Sequence, residues 1–135
     1  MNAKYVVIIQ CETAHKRCSG FACTNAFYNK DEVFKNCDDT VRYLSFTCGG
    51  CCGKTVASKL EHLSEKLKKK TDVKKDQVVI HLASCMATDN YHYERCPNID
   101  YIKNIIAKKG YQNVVEGSYI SKTAKRKREE GLYKS

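Results

Sequence analysis

The sequence predicts a small three-layer α/β fold on a four-stranded parallel sheet of order 2-1-3-4, with cysteines gathered at the strand C-terminal edge. Three observations lead there. The runs Tyr5 to Ile9 and Val78 to Ala83 are almost wholly apolar and rich in Val and Ile, as strands covered on both faces are. Stretches of helical periodicity alternate with the strand-like runs. Most of the cysteines fall just beyond such a run or ahead of the next helix.

Along the chain, the first strand spans Tyr5 to Ile9. A less regular helix is expected from about Thr24 to Phe34, using Ala26, Phe27, Val33 and Phe34. The second strand spans Val41 to Phe46. In the next helix Val56, Leu60, Leu63 and Leu67 recur at four, three and four residues, which makes one apolar stripe. Val78 to Ala83 forms the third strand. Ile99, Ile102 and Ile106 mark a further helix, with Pro97 in its first turn and Gly110 as its stop. Asn113 to Glu116 is the fourth strand. Right-handed crossovers between parallel strands then give the flavodoxin-like arrangement truncated by one strand.

At 135 residues the chain is long enough for a core that needs no disulfide support. No segment approaches the roughly 20 apolar residues of a membrane span, and the run Tyr5 to Ile9 is too short for the apolar stretch of a signal peptide. A cytoplasmic protein is expected, in which thiols stay reduced and nine cysteines serve metal binding or redox chemistry rather than structural disulfides. The net charge of +9 is concentrated in the C-terminal tail and around Lys66 to Lys75. Cations there complement a helix C-terminus or stay solvated, so a nucleic-acid partner is disfavoured.

Placed on this scaffold, Cys11 follows the first strand, Cys48, Cys51 and Cys52 the second, and Cys85 the third. Cys96 precedes a helix, and Cys18 and Cys23 lead into one. Strand C-termini of a parallel sheet share one edge, where open α/β folds bind ligands, so eight of the nine cysteines are expected at that rim. Cys37 falls at the opposite edge and reads as structural. The hinge "SFTCGGCCGKT" adds Gly49, Gly50 and Gly53, which let backbone amides approach the thiols closely. Thiolates brought together repel one another unless a cation holds them. His81 lies inside an apolar strand and reads as a hydrogen-bonded core histidine. His62 falls off the leucine stripe and reads as solvated, while His15 and His92 sit in loops near the rim as possible further ligands or proton carriers.

These residues also carry a family resemblance. "CGGC" at the end of a strand, "RCSGFACTNAF" at 17–27, "HLASC" at 81–85, "RCPNID" and the closing "VVEGSY" resemble the CGGC-domain family of small prokaryotic proteins. The resemblance implies a CGGC-type α/β metal-binding domain over residues 1–120 and leaves 121–135 as a basic tail. Matched by motif, it implies Cys11, Cys18, Cys23, Cys48, Cys51, Cys85 and Cys96 as metal ligands; Cys52 and Cys37 are additions to the family pattern, in which proline often follows CGGC, and Cys52 is then a spare ligand, a resolving thiol or a passive neighbour. Zinc is the metal suggested for the family.

Structural zinc sites draw on paired cysteines that close locally, whereas these ligands come singly from several strand ends. Thiolate ligation with sulfur to spare suits an iron–sulfur cluster, although no ferredoxin spacing is present. An iron–sulfur cluster is therefore the expected cofactor, Zn2+ the alternative, and a metal-free thiol–disulfide pair of Cys48 and Cys51 the third reading. A metal-bound protein of this kind fits a redox, sulfur-handling or metal-sensing role and is compatible with a redox partner protein.

Overall fold

In a computed structural model, residues 3–12, 18–31, 34–35, 37–87 and 96–118 are described. The order is β1 (Tyr5–Gln10), α1 (Phe21–Asn29), β2 (Arg42–Thr47), α2 (Val56–Lys70), β3 (Val78–Leu82), α3 (Ser84–Ala87), α4 (Ile99–Lys108) and β4 (Val114–Glu116), with a 3-10 turn at Lys75–Gln77. The four strands form one sheet in the order β2-β1-β3-β4, as expected. All three pairings are parallel, with Tyr5 opposite both Arg42 and Val78, and Leu82 opposite Ile9 and Glu116. The strands consequently finish in line. Backbone bonds seal that edge: Cys48 N–H donates to Gln10 O at 2.8 Å, Ala83 N–H to Ile9 O at 2.9 Å and Gly117 N–H to Leu82 O at 2.7 Å.

The two most apolar runs became the two central strands. Every residue of β3 and all of β1 after Tyr5 are buried, whereas the edge strand β2 has none fully buried. Alternation along the strands sends Val7, Ile9, Ile80 and Leu82 to one face, against Val56, Leu60, Leu63 and Leu67 of α2 and Ile99, Ile102 and Ile106 of α4. Burying each such side chain stabilises the fold by about 1.5–3 kcal/mol. Val6 and Ile8 turn to the other face and meet Ala26, Phe27 and Phe34. Three layers result.

The helix expected over Thr24 to Phe34 starts earlier and stops sooner. Gly20, with φ 84°, precedes its first residue, Phe21, three residues upstream of Thr24. Lys30 adopts a left-handed conformation at φ 59° and donates to the carbonyls of Ala26 and Phe27, which ends it. Phe34 reaches the core from the following turn, its N–H bonded to Asp31 O at 3.0 Å. The four-residue α3 is too short to leave a periodic signal in sequence. Among the described residues, no helix is long and apolar enough to cross a membrane. The basic tail, His15 and His92 lie outside the described residues.

Candidate functional site

Three adjacent strands are each followed closely by a cysteine. Cys11 is the residue after β1 and Cys48 the residue after β2, while Cys85 sits in α3, three residues beyond β3. Cys48 is buried, Cys11 and Cys85 are half-buried, and the Cys11 N–H points at the Cys85 sulfur at 3.5 Å. The remaining candidates arrive from loops and helix starts. Cys96 donates its N–H to Met86 O at 2.9 Å, which ties the start of α4 to α3, and its sulfur accepts the Asn98 N–H at 3.4 Å. The exposed Cys18 accepts the Gly20 N–H at 3.4 Å, and Cys23 is carried on α1.

The loop from Cys48 to Thr55 is built on glycine. Gly49, Gly50 and Gly53 have φ of 77°, 104° and 90°, values that side-chain-bearing residues rarely adopt. Thr55 Oγ1 donates to Cys48 O at 2.7 Å, and the Gly53 N–H to Gly50 O at 2.7 Å, so the loop closes on itself ahead of α2. Its flank is held by Lys59 Nζ on Thr47 O at 2.6 Å and by Thr47 Oγ1, which donates to Glu12 Oε1 at 2.6 Å. The loop leaves Cys51 and Cys52 exposed at its turn, while Cys48 stays inside. Helix α2 begins only at Val56, so no helical geometry sets the direction of Cys52.

Three of these thiols resist ionisation. Burial pushes Cys85 up to about 12, opposed by the Cys11 N–H and reinforced by the neighbouring Cys11, Cys23 and Cys18. Burial also raises Cys23, against hydrogen bonds from Ser118 and Gln10, and Cys18 adds to the rise. Cys96 is raised by burial, opposed by the Asn98 N–H, with Cys51, Cys48 and Cys11 contributing. The cysteines acting on Cys85 are thus Cys11, Cys23 and Cys18, and those acting on Cys96 are Cys51, Cys48 and Cys11. Cys37 does not belong with them. It packs beside Val6, Phe34 and Val41, its thiol is raised chiefly by burial, and the charges acting on it are Lys30 and Asp38.

Sequence reasoning missed a polar brace under this edge. Ser84 and Ser118 are buried and bonded reciprocally, Ser84 N–H to Ser118 Oγ at 3.1 Å and Ser118 N–H to Ser84 Oγ at 2.9 Å. Ser118 Oγ also lies 3.1 Å from Cys23 Sγ. Buried Gln10, a polar residue closing an apolar strand, joins it at Cys23 and was the one available signal. His81 is a core histidine, buried, with Nδ1 3.1 Å from Gly117 O and its ring 4.7 Å from that of Phe34. A groove between β2 and α2, lined by Leu44, Phe46, Lys59 and His62, has no cysteine in its wall.

The thiols are right in kind for a soft metal, and more numerous than one tetrahedral ion requires. Among the described residues, however, no three Cys, His, Asp or Glu side chains stand together closely enough to hold a single ion. A sequence model of the CGGC domain matches residues 5–119, most of the chain. No curated protein and no solved structure matches.

Proposed function

The chain belongs to the CGGC-domain family, and from that premise we propose that it binds a soft metal through the cysteines at the C-terminal edge of its sheet. The observation that carries this reading is the succession of Cys11, Cys48 and Cys85 beyond the ends of three adjacent strands. Cys18 and Cys23 stand near enough to act electrostatically on Cys85, and Cys48 and Cys11, with Cys51, on Cys96. An iron–sulfur cluster is the first identity and Zn2+ the second. Such a cluster would supply one-electron chemistry in a redox, sulfur-handling or metal-sensing role. The chain's own part is to bring the thiols to one edge, to hold Cys23 from behind through Gln10 and Ser118, and to give up thiol protons as the metal binds. Reduced thiols of this kind suit a cytoplasmic setting.

A metal-free dithiol is the competing reading, favoured by the exposed Cys51 three residues from the buried Cys48. Protein prepared without air decides between them. Iron and acid-labile sulfide, with visible absorption that reductant bleaches, are expected. Stoichiometric zinc in a colourless protein replaces the first identity by the second. Absence of metal together with a reversible Cys48–Cys51 disulfide refutes metal binding. In the same preparation Cys51→Ala should lose metal and Cys37→Ala should keep it, at a packing cost of about 1 kcal/mol. Equal loss from both would refute the edge assignment.

A further inference from the structure

The N-terminal edge of the sheet, opposite the cysteines, holds a depression of about 360 Å3 whose wall carries three cations from three segments: Lys4 just before β1, Arg42 at the start of β2 and Lys70 at the end of α2. Register brings them together. Tyr5 lies opposite Arg42, whose N–H donates to Lys4 O at 2.9 Å, and α2 crosses back from the far end of β2 to return Lys70 to this edge. Tyr5 and Val73 add an apolar wall that packs on the α2–α4 core. The two hydroxyls in the wall are already committed. Thr40 Oγ1 donates to Asp38 Oδ1 at 2.5 Å, and Thr71 Oγ1 to Leu67 O at 2.7 Å, which covers a carbonyl at the negative end of α2. Nearby acids leave the cations largely uncompensated. Asp38 is held chiefly by Thr40, with Lys4 a lesser influence on it, and Asp72, between Thr71 and Val73, does not line the depression. Lys69, Lys103 and Lys109 each have a carboxylate partner, whereas among the described residues no ion pair engages Lys4, Arg42 or Lys70. Complementing the helix dipole accounts for Lys70 but for neither of the other two, which stand at strand starts.

We propose that this depression binds a small phosphate ester. The site owes nothing to the cysteines at the far edge. A phosphate monoester carries a charge of about −1.5 to −2 at neutral pH, which matches three cations of which one is shared with Asp38. The planar guanidinium of Arg42 suits two phosphate oxygens at once, while Lys4 and Lys70 serve as point charges on flexible stems. A monocarboxylate would leave cations unmatched. The depression has room for more than the phosphate group, and Tyr5 and Val73 offer the organic remainder an apolar wall. Binding rests on charge and hydrogen bonding, and no covalent bond is made or broken.

The test is a titration of the full-length, reduced protein with phenyl phosphate and, separately, with inorganic phosphate, followed by amide NMR shifts. Salt at about 0.15 M screens exposed charges beyond about 8 Å, which suppresses diffuse attraction to the other lysines. Saturable binding of phenyl phosphate is expected, with shifts centred on Lys4, Tyr5, Arg42 and Thr71. Inorganic phosphate should bind more weakly, because it leaves the Tyr5 wall uncovered. Arg42→Gln and Lys70→Gln should each weaken phenyl phosphate binding about two- to fivefold, the worth of one exposed ion pair. Lys68→Gln removes the same charge from the same helix, about 200° around its axis from Lys70, and should leave binding unchanged. All three residues are exposed, so none of these exchanges removes core packing. Equal weakening by Lys68→Gln, shifts spread over the lysines at large, or no saturable binding would each overturn the site. Equal affinity for inorganic and phenyl phosphate would overturn the ester as its ligand.

Discussion

Replacing Gly53 by alanine should destabilise the protein through two separable effects. Gly53 has φ of 90°, and holding a side-chain-bearing residue there costs about 1–3 kcal/mol. A Cβ at this position would also lie 2.8 Å from both Cγ1 and Cδ1 of Ile102, a fully buried residue on α4. Ile102 cannot retreat, because it is packed between the sheet and α2, so relief requires a shift of α4 or of the loop at about 1–3 kcal/mol more. The sum, about 2–6 kcal/mol, is a large part of the 5–15 kcal/mol that usually separates folded from unfolded chains. Gly50→Ala is the built-in control: its φ is 104°, yet nothing lies within 4 Å of the added Cβ. Urea denaturation of both variants isolates the steric part as the difference between them. Ile102→Ala, itself costing about 2–5 kcal/mol, should cost less in the Gly53→Ala background, because it removes both clashing atoms. If Gly53→Ala is no more destabilising than Gly50→Ala, or if the two changes at 53 and 102 are additive, the close approach of the CGGC loop to α4 is wrong.

Two further outcomes follow from titration. Burial holds the His81 pKa below its ordinary 6.5, so the unfolded chain binds the proton first as pH falls. The stability this contributes is complete above about pH 6.5 and is lost as pH drops towards the folded value. His81→Asn, which keeps a donor for Gly117 O, should show a shallower loss of urea midpoint between about pH 7 and pH 5 than the unchanged protein. An identical slope would mean that His81 titrates normally. In the metal-free chain, Cys85 stays protonated until about pH 12 and is partly covered, so iodoacetamide at mildly alkaline pH should label Cys18, Cys51 and Cys52 well before Cys85. Peptide mass spectrometry reads the order, and early labelling of Cys85 would contradict its burial.

Local patterns in the sequence reach far in this protein. The unbroken Val and Ile runs identify β1 and β3 as central strands because only a strand covered on both faces can dispense with alternation. The leucine stripe of α2 and the isoleucine stripe of α4 state their own helices and buried faces, since a period near 3.6 residues is visible within a single element. With alternation of elements and right-handed crossovers, these suffice for the strand order, and the order alone puts Cys11, Cys48 and Cys85 beyond neighbouring strand ends.

What needed the tertiary structure depends on residues far apart in the chain. The start of α1 rests on the conformation of Gly20, and its end on Lys30, neither of which a hydrophobic pattern records. The contact between Cys11 and Cys85 spans 74 positions and exists because β1 and β3 pair in one particular register. The brace of Ser84, Ser118 and Cys23 joins three separate segments, and each of its members alone resembles any small polar residue in a loop. The face on which each thiol lies is likewise a property of the folded edge. Strand parity is local, but Cys85, Cys23 and Cys96 belong to helices or helix starts, and only packing against the sheet decides which side they take.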